Sequence, residues 1–257
     1  MKNYNRFIVE SYKFLDNVYE DCAPIIKELR ECKETYENIC FDPNTGHEKG
    51  YDCGKNRLIY HTDNTYRNIS HYHIINHMER DFPTDTPLYI HEYISELFDK
   101  KLGWNPRCDA IFTHNSQLQI QIDTGSFVYD NNNFGKKYIL LPIGEYKYAY
   151  SETVGDLFDV LWHKFPFVKE NQHKQRTLEY IKDLIKSRVN AAVDGDDDTV
   201  LNELYDIKEF VESYVDNIKT DDLCTWLSKS TELMLRAEKY YLINMDYEDE
   251  IKNYIWG

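Results

Sequence analysis

The chain has no uninterrupted run of about 18 apolar residues, so no membrane-spanning helix is expected. Its opening, MKNYNRFIVESYKFLD, lacks the continuous apolar stretch of a secretory signal. The six cysteines (22, 32, 40, 53, 108 and 224) include no CxxC pair, which leaves a zinc ribbon unsupported. Scattered cysteines in a chain of 257 residues predict reduced thiols and a cytoplasmic setting. No GxGxxG, Walker A or GxSxG motif occurs, so the common dinucleotide, P-loop and serine-hydrolase signatures are missing. Basic residues are scarce: 30 Lys and Arg face 45 Asp and Glu, a net charge of −15. That balance argues against direct nucleic-acid binding, which needs cations facing phosphates.

Tyrosine is abundant, with 22 copies. Its ring packs while its hydroxyl seeks a polar partner, which suits half-exposed strands and contact surfaces. The negative charge is concentrated late in the chain. Residues 1–150 hold 22 acids and 17 bases, net −5, whereas 151–257 hold 23 acids and 13 bases, net −10. The window 194–222 alone has 11 acids and 2 bases. Two readings follow: a solvated helix face that maintains solubility, or an acidic surface docking on a basic patch of a partner protein. In the second, Asp196, Asp197, Asp198, Glu203 and Asp206 make the contact.

Apolar spacing predicts a helix ending near Cys22, restarting at Pro24 with proline in its first turn. A polar loop covers 42–56, and RLIYH reads as a short strand ending on His61. TPLYIHEYISELFDKKLG reads as a helix, with Thr86 as cap and Gly103 as stop. DAIFTH, QLQIQI, SFVY, KYILL and YKYAY then read as strands, with Pro142-Ile143-Gly144 as a reversal between the last two. Beyond about residue 153 the periodicity is helical, including 168–192, 199–218, 221–244 and 246–256. The expected class is α+β: an N-terminal helical segment and loop over 1–54, an α+β core with a small mixed or antiparallel sheet over 55–165, and an acidic helical region over 166–257.

Candidate chemistry is thin. His73 and His77 share a face if SHYHIINH is helical; a third ligand would have to come from Glu79, Asp81 or Cys53, no carboxylate lies between the histidines in metalloprotease spacing, and no metal site is assigned. VDGDDD lacks the ligand periodicity of a calcium loop. The step Ser151-Glu152 has two readings. Ser151 caps the following helix and Glu152 sits in its first turn, where an acid suits the dipole, or Glu152 is a catalytic acid.

One ordered set of motifs spans about residues 55–160: RLIYHTD, then RDFPTDTPLYIHEYISELFDKKLGW, CDAIFTHNS and YILLPIGEYKYAYS. This set resembles a group of phage-encoded proteins with an ADP-ribosyltransferase-like core. The resemblance implies that His61, with Thr62 beside it, holds the nicotinamide ribose or adjacent phosphate of NAD, and that Thr113 and Ser116 shape the pocket. It also implies a glutamate just before the final strand region. This chain instead reads FGKKYILL there, with Lys136 and Lys137. A carboxylate stabilises the positive charge that builds on the ribose during cleavage, and losing such a contact costs about 3–4 kcal/mol. Glu145 and Glu152 are the candidate substitutes. Two functions are therefore expected. One is a phage-type accessory protein that binds and neutralises a host protein, such as a defence factor, on a catalytically impaired scaffold. The other is an active transferase using NAD on a host target.

Overall fold

A computed structural model describes residues 13–32, 57–63, 65, 69–77, 79, 86–115, 136–155, 157–165, 168, 198–228 and 231–257. In chain order the first elements are helix α1 over 13–21, α2 (Ala23–Glu31), strands β1 (Tyr60–Asp63) and β2 (Tyr72–Asn76), α3 (Leu88–Leu102), α4 (Pro106–Asp109), β3 (Ile111–Thr113) and β4 (Lys136–Ser151). There follow α5 (Leu157–Lys164), α6 (Asp198–Asp216), β5 (Ile218–Lys219), α7 (Leu223–Ser228), β6 (Leu233–Asn244), a 3-10 turn (Met245–Tyr247) and α8 (Glu248–Trp256). The class is α+β. The chain forms two compact units, each assembled from separated stretches: 1–77, 111–150 and 220–257 in the first, 78–110 and 151–219 in the second.

The first unit is organised by β6. Its sequence, LMLRAEKYYLIN, carries helix formers, and the periodic reading assigned it to a helix. It is instead a twelve-residue strand with both edges paired. β4 runs antiparallel along one edge, from Tyr138↔Asn244 to Tyr150↔Leu233. On the other edge β3 pairs with Leu233–Leu235 and β2 with Lys239–Ile243, both antiparallel. Partners on two sides override local propensity, because a strand's preference is mostly a matter of what packs and pairs against it.

The expected reversal at Pro142-Ile143-Gly144 does not occur. β4 is one continuous strand of 16 residues. The register shifts between Ile143 and Tyr146, and Gly144 takes φ +71°, so this segment is an irregularity that bends the strand without turning it back. β1 lies on the outer edge of β4, pairing Tyr60↔Ile139 through Asp63↔Lys136. His114, just after β3, bridges back to β1: Tyr60 N donates to His114 O at 2.7 Å and His114 N to Tyr60 O at 2.9 Å. Hydrogen bonding therefore runs β1–β4–β6–β3 and returns to β1 through this single bridge, while β2 remains at a sheet edge. The strands expected at QLQIQI and SFVY lie outside the described residues, as do the loop over 42–56 and the helix expected over 168–192, Val168 excepted.

Helices pack on this sheet through apolar faces and are latched by tyrosines. α2 buries Ile25, Ile26 and Leu29. Its Glu28 carboxylate accepts hydrogen bonds from both Tyr146 and Tyr148, two residues apart on one face of β4; the Tyr148 contact is 2.7 Å. Asp21 accepts from Tyr241 on β6 at 2.6 Å, and Glu248 of α8 accepts from Tyr60 on β1 at 2.5 Å. Trp256, on α8, donates its indole N–H to Leu29 O at 2.9 Å. Cys32 and Cys224 form a disulfide between the end of α2 and α7, with Cα atoms 4.9 Å apart. This departs from the expectation of reduced thiols. A pairing across 192 residues of sequence is invisible to spacing arguments.

In the second unit α3 buries Tyr89, Ile90, His91, Ile94 and Phe98 and stops at Gly103, whose φ is +69°. Thr86 does not cap it; its hydroxyl accepts from buried Arg107 at 2.9 Å. Phe98 packs edge-on to Tyr214 of α6. Tyr93 donates to Glu212 at 2.5 Å, and the Lys101 ammonium donates to Val215 O and Asp216 O at 2.7 Å each, satisfying carbonyls at the end of α6. Ser151 Oγ accepts from Thr153 N and Val154 N, but α5 begins only at Leu157. Ser151 therefore closes a turn beyond β4 and is not the cap of the helix.

Burial first, and the Glu28 carboxylate next, push the Tyr146 and Tyr148 phenols well above their ordinary value. A phenol raised in the folded state contributes stability that is complete below about pH 10 and is lost as pH rises further. Tyr146→Phe and Tyr148→Phe should each cost about 1.5–3 kcal/mol at neutral pH, the range for hydrogen bonds to charged groups. Both should also flatten the alkaline limb of stability in urea titrations from pH 7 to 11. Reduction of Cys32–Cys224 should lower unfolding free energy by about 2–5 kcal/mol, read as the difference between urea transitions with and without reductant.

Candidate functional site

The corner where β1 meets the end of β3 gathers polar groups expected to hold a cofactor. Strand alternation sends Tyr60 and His61 to opposite faces. The half-buried His61 donates Nδ1–H to Phe112 O at 3.0 Å. Thr113 is fully buried, and its hydroxyl donates to Leu233 O at 3.0 Å. The bridge between Tyr60 and His114 thus brings His61 and the Thr113 segment together, while committing both side chains to bonds within the sheet. Thr62 is exposed, and Ser116 lies outside the described residues.

Deeper in the corner, Asn115 Nδ2 donates to Trp226 O and Leu227 O at 3.0 Å each, and Arg57 donates to Leu227 O at 3.2 Å. These donors satisfy carbonyls at the C-terminal end of α7, a residual need of any helix end. The Lys137 ammonium sits 3.7 Å from the centre of the Tyr60 ring, a cation–π geometry. Burial, then the neighbouring His61 and Lys137, lower the His114 pKa to about 4. The corner is therefore biased against further positive charge.

Among the described residues, Glu248 is a carboxylate that the structure brings to β1. It accepts from Tyr60 and pairs with Lys252 at 2.7 Å. Burial alone would raise its pKa, but the bonds from Lys252 and Tyr60 outweigh burial and lower it. Because it reaches β1 through Tyr60, it lies on the face opposite His61. Glu145 is exposed and seven residues along β4 from Tyr138, the partner of His61. At the rise of a strand this is roughly 20 Å, so the sheet keeps Glu145 apart from His61. Glu152 is exposed and belongs to the second unit, one residue after Ser151.

The histidines of SHYHIINH are not on a helix. His73 lies within β2 and His77 just past its end, about 13 Å apart at the rise of a strand. β-Branched Ile74 and Ile75, paired with Tyr241 and Tyr240, hold the segment extended.

Of the acidic contact set, Asp196 and Asp197 lie outside the described residues. Asp198 opens α6, Glu203 is half-buried and Asp206 is exposed. Two further residues belong to the same exposed face: Tyr205, with 47% of its surface exposed, and Glu209, one turn along. Helical spacing of 205, 206 and 209 carries this face in the sequence, but counting acids alone passes over the tyrosine. Lys208 is committed to Glu212 at 2.9 Å. No family model, curated protein or solved structure matches the chain.

The lowered His114 pKa has a sign that can be tested. A depressed imidazole contributes stability above about pH 6.5 that is lost as pH falls towards 4. The wild-type chain should lose on the order of 2–3 kcal/mol across that window from this group. His114→Gln should be less stable at pH 7 yet show a flatter acid limb, measured by urea unfolding at half-unit steps.

Proposed function

We propose that the protein acts by binding a partner protein with a basic surface, using the exposed face of α6, and that its sheet unit serves as scaffold. The observation that carries this reading is the exposed ring of Tyr205 beside Asp206 and within one turn of Glu209. An aromatic face next to carboxylates suits an arginine, which stacks on the ring while its guanidinium donates to the acids. The net charge of −15 adds long-range attraction for such a partner and speeds encounter.

A phage-type, host-directed role and an ADP-ribosyltransferase-like ancestry of the scaffold are supported by the ordered motifs over about residues 55–160. The preference for binding over catalysis is supported by Lys136 and Lys137 where a ribose-binding acid is expected, and by the fold bonds that occupy His61 and Thr113.

The test compares wild type with the triple variant Tyr205→Ala, Asp206→Asn, Glu209→Gln in capture from host lysate at low and high salt. Wild type should retain a basic protein at 50 mM salt and release it at 500 mM, and the variant should bind at least tenfold more weakly. Identical partners for both, or none for either, would remove the reading. Addition of NAD should leave the melting temperature unchanged and transfer no label to lysate proteins; transfer of label would replace binding with the transferase function.

A further inference from the structure

The second unit holds a thiol–imidazole pair that the binding face does not use. His91 lies on the buried side of α3, only 4% exposed. Cys108 lies on α4 and is a free, half-buried thiol. Its Sγ is 3.4 Å from His91 Nε2, and Asn105 Nδ2 donates to the same sulfur at 3.1 Å. A nucleophile within hydrogen-bond reach of a base is the arrangement that activates a thiol, and a donor aimed at the sulfur favours the negative charge that develops on it. The other free thiol among the described residues, Cys22, is fully buried in the first unit.

We propose that Cys108 and His91 form a reactive pair that takes carbon electrophiles, making Cys108 a covalent modification site. As the sulfur electron pair forms the S–C bond, the thiol proton passes to His91 Nε2, and the leaving group departs with the electrons of the bond it gives up. The imidazolium then releases its proton to solvent. Burial pushes the Cys108 thiol up, so the resting sulfur is the neutral thiol. His91 therefore acts as a base during attack, with no standing thiolate. Asp99, Asp109 and Arg107 are the charges whose fields reach the sulfur.

Iodoacetamide on the full chain, with label located by mass spectrometry, tests this. Cys108 should be labelled while Cys22 stays unmodified, and His91→Gln should slow labelling of Cys108 at least tenfold at unchanged melting temperature. Failure to label Cys108 in the native chain, or an equal rate in the variant, would overturn the proposal. If His91→Gln does not fold, the pH profile of the wild-type rate decides. Assistance by the imidazole leaves reactivity below the ionisation of the thiol that declines as His91 protonates. A single rise that follows thiol ionisation alone refutes assistance.

Discussion

The ladder between β4 and β6 is the constraint on which the first unit depends. Eleven residue pairs join the two strands, from Tyr138↔Asn244 to Tyr150↔Leu233. β1 attaches to the free edge of β4, and β2 and β3 share the free edge of β6. The bridge at His114 then returns the hydrogen bonding to β1. Without the central pair, β1, β2 and β3 are short segments of three to five residues with nothing to pair against. Strands so short are not stable alone. The corner holding His61, Thr113 and His114 exists because this ladder bends and closes.

The unusual composition has a structural use. Tyrosines on the strands donate to acids on the helices: Tyr146 and Tyr148 to Glu28, Tyr241 to Asp21, Tyr60 to Glu248. Each latch joins a helix to a strand far away in sequence, and each consumes an acid that would otherwise add only repulsion. The acids of α6 divide differently. Glu212 is held internally by Tyr93 and Lys208, whereas Asp206 faces solvent with Tyr205. Net charge therefore overstates the acidity available to a partner, and local exposure is the better guide.

The legible parts of the fold were those decided by local chemistry. Pro24 and Gly103 bound helices as expected, and Tyr89, Ile90, Ile94 and Phe98 of α3 are buried together with His91, while Tyr93 and Leu97 are half-buried. The misread parts were decided at long range. LMLRAEKYYLIN follows the helical period but becomes a strand once β4, β2 and β3 pair with it. Pro-Ile-Gly follows hairpin chemistry but lies along a strand whose partner comes from residue 233 onward. Motif order names His61 and Thr113 as cofactor residues, whereas the sheet uses both side chains for its own hydrogen bonds. Cys108 and His91 were passed over because they stand 17 residues apart on separate helices with no motif between them.

The placement of β6 near the end of the described sequence has a consequence for synthesis. Ser151 ends β4 and Leu233 begins its partner, with residues 152–232 between them. At ribosomal speeds those 81 residues take roughly 4–16 s to make. Throughout that interval the nascent chain carries YILL and its neighbours without the strand that covers them. The protein is therefore obliged to complete its sheet late, with the apolar residues of β4 uncovered for those seconds.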